Sequence, residues 1–561
     1  MKKPIHEKKI YRDIREVIED IGEIYSGKIA YSYRIKPNDK EIQKKTYDQL
    51  RDDVRALATE FVARGVTGKH VALVGKLSYH WVVVYYATFA AGGVLVPLDK
   101  EWLAKDLADT GAKAEVAFVL CDGDVIEKGR AICEAAGCSE PIALEYGEGT
   151  VDELIEAGRV KFNEDSSAYY NTPIDIDKMS LLVFTSGTTG KGKGVMLSQK
   201  NILTDIAAPL QHIDFTFKSV GVLPPHHTFG STVNILGHNC IGCEIYISSG
   251  IRYVQKELKE QTPGHMVLVP LYLETFYRKI MANIKDQGKE KLIARMIKIS
   301  NLLRKVGIDL RRKLFGAVLA AFGGEVRMVV CGGAPINQDI LSFFDGVGIE
   351  ILNGYGITEC APIIACNHSH DVIPGSVGPA CDVNEVKIDE PNEDGEGEIW
   401  VRGSNVMLGY YKDEEATADA LTPDGYFRTG DYGKLGKNGE IYITGRKKNL
   451  IILSNGKNVY PEEIEAEFIA VPGVIDIVVY EGQSKRGLMY NTIVAEVYPD
   501  QDYIAKNNVE DIHAHLKKYV DEYNLTAVPY KKIGILKVRT EEFPKNTLRK
   551  IMRFKIDMTI E

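Results

Sequence analysis

Up to about residue 380, short runs rich in Val, Ile and Leu alternate with longer segments whose apolar residues recur at helical spacing. "HVALVG", "VLVPLD", "AEVAFVLC", "LLVFTS", "MVLVP", "RMVVCGGAP" and "IEILNGYG" are the short runs, and "WVVVYYATFAA" and "NQDILSFFDGV" lie between them. Brief apolar runs bounded by turn residues read as buried strands, and the longer segments as helices. The alternation predicts an α/β fold of βα-layered units with largely parallel sheets. From 382 to 447 the period shortens to two. "GEIWVRG", "GYFRTGDYGKLG" and "GEIYITGRKKN" alternate apolar and polar residues. They predict antiparallel β-structure with a hairpin at Asn438–Gly439. A different texture follows "GRKKN": a helix ("YPEEIEAEFIA"), strands ("GVIDIVVYEG", "NTIVAEVYP") and a second helix ("VEDIHAHLKKYVDEYN"). That length suits a small α+β domain. The expected division is 1–447 and 448–561.

Two segments invite other readings. Trp81 to Leu98 carries no charge over 18 residues, near the length of a membrane helix. Gly92–Gly93 divides it, so a buried helix and a short strand ending near Pro97 are expected instead. Residues 283–313 hold ten Lys/Arg against three Asp/Glu. Leu292, Met296, Ile299, Leu303, Val306 and Leu310 recur there at helical spacing. One reading is a surface helix with that face on the body, and the other is attraction to an anionic membrane.

Composition narrows the field. A net charge of -9 over 561 residues (69 basic, 78 acidic) argues against a general nucleic-acid binder. The basic N-terminal start has no apolar core after it, so no secretory signal is expected. All nine cysteines precede Asp382 without a regular framework, which fits free thiols in a cytoplasmic, reducing setting. Cys240 and Cys243 beside His238 raise the question of zinc, but a second ligand pair at finger-like spacing is missing. His368 and His370 read as a polar surface loop.

The candidate chemistry begins at "LLVFTSGTTGKGKGVMLS", residues 181–198. From Gly187 it nearly matches the G-x-x-x-x-G-K-[ST] phosphate loop, but Gly194 stands where a magnesium-binding hydroxyl belongs. "VMLS" looks like a strand, and a helix is expected only after Ser198, a good N-cap. Gly187, Gly190, Gly192 and Gly194 allow backbone N–H groups to converge on an anion. Thr185, Ser186, Thr188 and Thr189 add hydroxyls, and Lys191 and Lys193 add charge. A phosphate grip and a plain flexible turn both remain open on this stretch alone.

Distant stretches change the weighing. "NGYGITECAP" sets Tyr355, Thr358 and Glu359 on a turn after a strand: a ring, a hydroxyl and a carboxylate suited to base, phosphate and Mg²⁺. "YFRTGDYG" presents Asp431, able to accept from two sugar hydroxyls. "YITGRKKNLIILSNGKNVYPEEIE" places Arg446 at a strand end, and "FPKNTLRKIMR" carries Lys550 near the end of the tail.

In order and spacing these five motifs resemble the adenylate-forming (AMP-binding) superfamily over nearly the whole chain, and most resemble its bacterial long-chain fatty acyl-CoA synthetases. The resemblance implies a large N-terminal domain of two βα-layered subdomains plus a distorted antiparallel β-barrel, with a small mobile C-terminal lid. It implies that Thr185, Ser186, Gly187, Thr188, Thr189 and Lys193 grip the β/γ-phosphates of ATP. Gly333, Ala334 and Tyr355 would line the adenine, Thr358 would touch the α-phosphate, and Glu359 would hold Mg²⁺. Asp431 and Arg446 would hold the ribose, and His227 in "LPPHHTFG" would lie at the carboxylate end of the acyl pocket, although His226 competes for that role. Lys550 would bridge the substrate carboxylate and the α-phosphate, Lys448 would be the hinge, and the loop around Gly456 would meet the pantetheine arm of CoA.

The activity implied is AMP-forming activation of a medium- to long-chain fatty acid, followed by transfer to CoA. An acyl carrier protein as acceptor, or another aryl or alkyl acid, is the alternative. A nucleotide sensor without chemistry would usually lack Lys550 or Glu359. The sequence departs from the family at Gly192, where proline is frequent, at Arg549, where glycine is commoner, and at Asn449, where an acidic residue is frequent.

Overall fold

The computed structural model describes residues 4–145, 149–185, 192–453, 457–469, 471–484, 489–545 and 551–560. Its largest sheet has seven strands, in the order Gly409–Tyr410, Lys193–Ser198, Met179–Thr185, Val94–Leu98, His70–Val74, Val116–Cys121 and Ile142–Ala143. Its centre is parallel, with Ala72 opposite both Val96 and Val119. Strand Val94–Leu98 is buried at every position, as expected where helices cover both faces. Ahead of it, helix Tyr79–Ala90 is buried at every residue but His80. The uncharged segment is therefore a core helix followed by a strand. Among the described residues no helix is long and apolar enough to cross a membrane.

A second four-stranded sheet combines Gln43–Thr46, Ile29–Tyr33, Glu244–Ile247 and Lys218–Gly221. A third places His265–Leu268, Met328–Cys331 and Glu350–Gly356 parallel, with Ile363–Cys366 antiparallel at its edge. Ligands of open α/β sheets gather beyond the carboxyl ends of such strands. Gly333 and Ala334 follow one of these strands after Gly332, and Thr358 and Glu359 follow another after Ile357.

The period-two region forms Asn384–Asp389, Gly397–Gly403, Phe427–Leu435 and Ile441–Arg446, all antiparallel in that order. Gly439, at φ 84°, takes the left-handed position of the expected hairpin. The expected barrel is not closed among the described residues, because the first and last strands do not pair with each other. Four strands fall well short of the roughly eight that enclose a filled interior. The sheet instead borrows cover: Val377 and Ile441 bond to each other's neighbourhood through Val377 N to Ile441 O and Ile441 N to Gly378 O, both 2.9 Å.

Beyond Lys448, strands Val474–Gln483, Met489–Pro499 and Ile533–Val538 make a separate sheet flanked by helices Pro461–Phe468 and Ile512–Thr526. An apolar cluster including Ile464, Phe468, Val479, Ala495, Leu516 and Val520 forms its core. Polar contacts hold the start of this part and tie it to the body. Asn449 Nδ2, within the tail, donates to Glu462 Oε1 at 2.6 Å. Across to the body, Asn337 Nδ2 donates to Ala466 O at 2.6 Å and Arg278 to Val474 O at 3.4 Å. Lys506 pairs with Asp286 at 2.7 Å. Asn449, which departs from the family pattern, thus holds the turn after Arg446 against the first helix of the tail.

The basic block forms the end of helix Pro270–Asp286, helix Glu290–Arg304 and a short turn of helix at Arg311–Leu314. The helical stripe expected to face the body splits. Ile293, Met296 and Ile297 pack on the core, whereas Leu292, Ile299 and Val306 are 52%, 58% and 70% exposed. Positions 292, 299 and 306 are seven apart and share a line. The buried line is 293, 296, 297 and 300, rotated away from it by the 3.6-residue turn.

Candidate active site

Strands Met179–Thr185 and Lys193–Ser198 are antiparallel, with Thr185 opposite Lys193. Residues 186–191 between them lie outside the described residues, and with them Ser186, Gly187, Thr188 and Thr189. A strand therefore follows the glycine-rich stretch. The helix waits for Ser198, whose side chain accepts from Asn201 N while the Asn201 side chain returns a bond. A Cβ on Gly192 would lie 2.8 Å from Thr185 O, so the departure from proline suits the close pairing here.

Lys193 projects from this hairpin over the ring of Tyr410, 4.6 Å from its centroid. The Tyr410 hydroxyl donates to Glu359 Oε1 at 2.9 Å. Glu359 and Thr358 are half-buried on a 3₁₀ turn. This turn is braced from behind: Asn405 Nδ2 donates to Cys360 O, to Ile363 O and to Asp205 Oδ1, at 2.9–3.0 Å. Asp205 Oδ1 also accepts from Ile363 N at 2.9 Å. Full burial pushes the Asp205 carboxyl well above the usual range, partly offset by these bonds.

Three residues before Thr358, the Tyr355 hydroxyl donates to Asp431 Oδ2 at 2.6 Å, and Arg446 Nε meets Asp431 Oδ1 at 2.7 Å. Asp431 and Arg446 are register partners on adjacent strands, so the β-ladder itself delivers the pair. Asp431 is 4% exposed and Tyr355 7%. Burial, and then the Asp431 charge, hold the Tyr355 phenol well above its ordinary value. A carboxylate has roughly four acceptor positions, so Asp431 can take further donors beside these two.

Tyr355 also walls an apolar cavity of about 80 Å³, together with Phe215, Phe229, Val233, Gly332 and Ile363. The π-helical segment Phe229–Gly237 forms one side of it. A Cβ on Gly230 would lie 2.1 Å from Pro224 O, which ties that segment to the "LPPHH" turn. Of the two adjacent histidines, His226 faces Asp99, 3.5 Å from its Oδ2, and burial lowers it to about 4. His227 is half-buried, with its carbonyl accepting from Ser231 N at 2.9 Å.

The structure therefore brings Thr185, Lys193, Thr358, Glu359, Tyr355, Asp431 and Arg446 into two linked clusters. Gly333 and Ala334 are exposed on the loop after Met328–Cys331, beside the cavity. Lys448 lies on the turn Lys447–Asn449 directly after Arg446. Gly456, Arg549 and Lys550 fall outside the described residues. Tyr410, Asp205 and Asn405 were not singled out by sequence reasoning. "LGYYKD" offers two adjacent tyrosines, but nothing local says that one of them reaches a carboxylate 51 positions away.

The question of zinc resolves differently. Cys240 stands apart, while His238, Cys243 and His265 converge, all buried. Asn234 O can only accept, so His238 carries its proton on Nδ1 at 2.7 Å, and its Nε2 accepts from His265 Nε2 at 2.7 Å. Thr216 Oγ1 completes the chain at His265 Nδ1, 2.7 Å away. Every ring nitrogen has a protein partner in this arrangement.

Two linked polar clusters thus sit against a mixed α/β core. Residues 19–411 match the model of the AMP-binding enzyme family, and the chain belongs to that family. It is 27% identical over 501 residues to long-chain-fatty-acid–CoA ligase 5 of Rattus norvegicus, covering 83% of this chain and 73% of that protein. It is 29% identical over 466 residues to the long-chain-fatty-acid–CoA ligase FadD15 of Mycobacterium bovis, covering 77% and 74%. A long-chain-fatty-acid–[acyl-carrier-protein] ligase of Arabidopsis thaliana is 27% identical, with 85% and 76% covered. Among solved structures, ATP-bound MatB of Rhodopseudomonas palustris superposes with a TM-score of 0.74 at 23% identity, covering 96% and 97%. MenE of Bacillus subtilis with ATP and magnesium gives 0.70 at 20% identity, covering 96% and 98%. These two share the fold, a large N-terminal domain followed by a smaller C-terminal one.

Proposed function

We propose that the chain is an ATP-dependent, AMP-forming fatty acyl-CoA synthetase that activates a medium- to long-chain fatty acid as acyl-AMP and passes the acyl group to CoA. One observation carries the reading most. The Tyr355–Asp431–Arg446 cluster and the Lys193–Tyr410–Glu359 cluster flank one turn, and the same Tyr355 walls an apolar cavity. A ligand that is polyanionic at one end and apolar at the other matches such a site. The long-chain ligases among the relatives supply the substrate class.

In this reading Asp431 accepts from the ribose hydroxyls while Arg446 and Tyr355 fix its carboxylate. Gly333 and Ala334 border the adenine beside the Tyr355 ring. Thr185, Lys193 and the 186–191 loop hold the β/γ-phosphates, and Thr358 contacts the α-phosphate. Glu359 keeps one oxygen on Tyr410 and has a second to offer, which fits a Mg²⁺ ion that takes one or two carboxylates. An ion held by Glu359 would supply positive charge near the α-phosphate, where the substrate carboxylate and the departing pyrophosphate crowd negative oxygens together. The Lys550 ammonium would sit at that crowded centre; loss of one such contact costs about 10²–10³ in rate. The thiol of CoA then attacks the acyl carbon and expels AMP. His227 would stand at the carboxylate end of the acyl site and the loop around Gly456 beside the pantetheine. The unit from 448 to 561 would turn about Lys448 between the two steps.

A cavity of about 80 Å³ is smaller than the roughly 300–1,000 Å³ of formed ligand pockets. A long acyl chain therefore requires lining side chains such as Phe229 to move. The carrier-protein ligase among the relatives keeps an acyl carrier protein as the second acceptor reading. Cytoplasmic placement with peripheral contact to an anionic membrane through 283–313 belongs to the same proposal.

The test is acyl-CoA formation across carboxylic acids of graded length, with AMP and pyrophosphate followed and CoA compared with a carrier protein. Release of ADP and phosphate would refute adenylation, and a preference for the carrier protein would replace the CoA reading.

A further inference from the structure

Helix Glu290–Arg304 has two apolar faces. Ile293, Met296 and Ile297 enter the core, and Ser300 is 0% exposed. About a third of a turn round the helix from that face, Leu292, Ile299, Leu302 and Val306 stand 52%, 58%, 65% and 70% exposed. Steps of seven, three and four keep these four on one stripe of the helix and its continuation. A helix on a protein surface normally turns charged residues to water, so a second apolar stripe calls for a partner.

The charges around the stripe indicate which partner. Lys291, Lys298 and Lys305 recur every seventh residue along its flank, and Arg295 sits between Leu292 and Ile299. None of these four makes an ion pair among the described residues. The acids of the block are largely engaged: Asp286 pairs with Lys506 and Asp309 with Arg311. Ile308 and Leu314, 48% and 39% exposed, extend the apolar surface past the helix end.

A second copy of this chain docking symmetrically would set these cations against one another, since the same patch faces itself across a two-fold axis. Nucleic acid would leave the leucines and isoleucines unmatched. An anionic bilayer satisfies both parts. The apolar stripe enters the boundary between headgroups and acyl chains, and long basic side chains reach back to the phosphates.

We propose that the outer face of helix Glu290–Arg304 seats the protein on anionic lipid, with Leu292, Ile299, Leu302 and Val306 inserted and Lys291, Arg295, Lys298 and Lys305 on the headgroups. This refines the membrane contact put forward with the acyl-ligase reading. Its test reads binding rather than turnover, so it can fail while that reading stands.

The full-length protein is sedimented with vesicles of phosphatidylcholine alone or with about one third phosphatidylglycerol, at low and high salt. Binding is expected only with phosphatidylglycerol, weakening as salt rises. Reversal of Lys291, Lys298 and Lys305 to Glu should lower the partition coefficient on the order of 100-fold, at about fivefold per lysine lost. Ile299→Asp with Leu302→Asp should lower it by at least about tenfold. All five positions are exposed, so melting temperature and turnover of a water-soluble acid should stay unchanged. Binding of the variants equal to that of the parent, or binding indifferent to lipid charge, overturns the proposal. So does a stable dimer that Ile299→Asp dissociates, because the stripe would then be covered by a second chain.

Discussion

Tyr355→Phe removes one oxygen and leaves the ring. In the structure that oxygen donates to Asp431 Oδ2 at 2.6 Å, next to a carboxylate only 4% exposed. Water has little room to replace the lost donor. A hydrogen bond to a charged group contributes about 1.5–3 kcal/mol. At about 1.4 kcal/mol per factor of ten, that is a loss of roughly 10- to 150-fold in the step that depends on Asp431. If Asp431 reads the ribose, the loss should appear in kcat/KM for ATP. Discrimination between ATP and its 2′-deoxy analogue should narrow in parallel. The assay is ATP–pyrophosphate exchange with a saturating fatty acid, alongside a melting curve that separates a binding defect from a folding defect. The 2.7 Å contact from Arg446 Nε to Asp431 Oδ1 is untouched in the variant. A Tyr355→Phe protein within about twofold of the parent, while Asp431→Asn is severely impaired, would refute the idea that the hydroxyl positions the carboxylate.

Three further outcomes are expected. Lys550→Ala should abolish acyl-AMP formation yet largely spare thioester formation from supplied acyl-AMP, and equal loss of both would contradict the two-step division of labour. Burial lowers His226 and His238 to about 4 in the folded chain, against about 6.5 unfolded. The unfolded chain therefore binds protons first as pH falls, so stability is full above about pH 6.5 and declines toward pH 4, by about 3 kcal/mol per histidine. Urea midpoints across that range should fall less steeply in His238→Gln; an unchanged slope would exclude its share. Gly158→Ala should destabilise: its Cβ would lie 1.9 Å from Ala56 O, where helices Tyr47–Ala63 and Val151–Glu164 cross. Overpacking of about 1–3 kcal/mol outweighs a helix-propensity gain of about 1, and a raised melting temperature would show that the crossing can relax.

Much of the fold was legible because its signals are local. A run such as "VLVPLD" is apolar on both faces, and a helix such as Tyr79–Ala90 is apolar all round, so each announces burial without reference to neighbours. The Asn-Gly hairpin and the Ser198 cap were readable for the same reason, since a backbone conformation there demands a residue type. Which face of Glu290–Arg304 turns inward was not readable. Both faces carry leucines, isoleucines or methionine, and periodicity alone cannot choose between two apolar stripes. Nor could a count of strands tell an open sheet from a closed barrel over 384–446.

The site divides along the same line. Sequence by itself determined the kinds of groups present and their order: a hydroxyl- and glycine-rich loop, a Tyr-Thr-Glu turn, an Asp and an Arg on β-strands. Only tertiary structure decided which of them meet. Tyr355 reaches Asp431 across 76 positions and Tyr410 reaches Glu359 across 51, because sheets built from distant segments share an edge. A side chain's type is encoded one residue at a time, whereas its hydrogen-bond partner is set by packing among many residues at once.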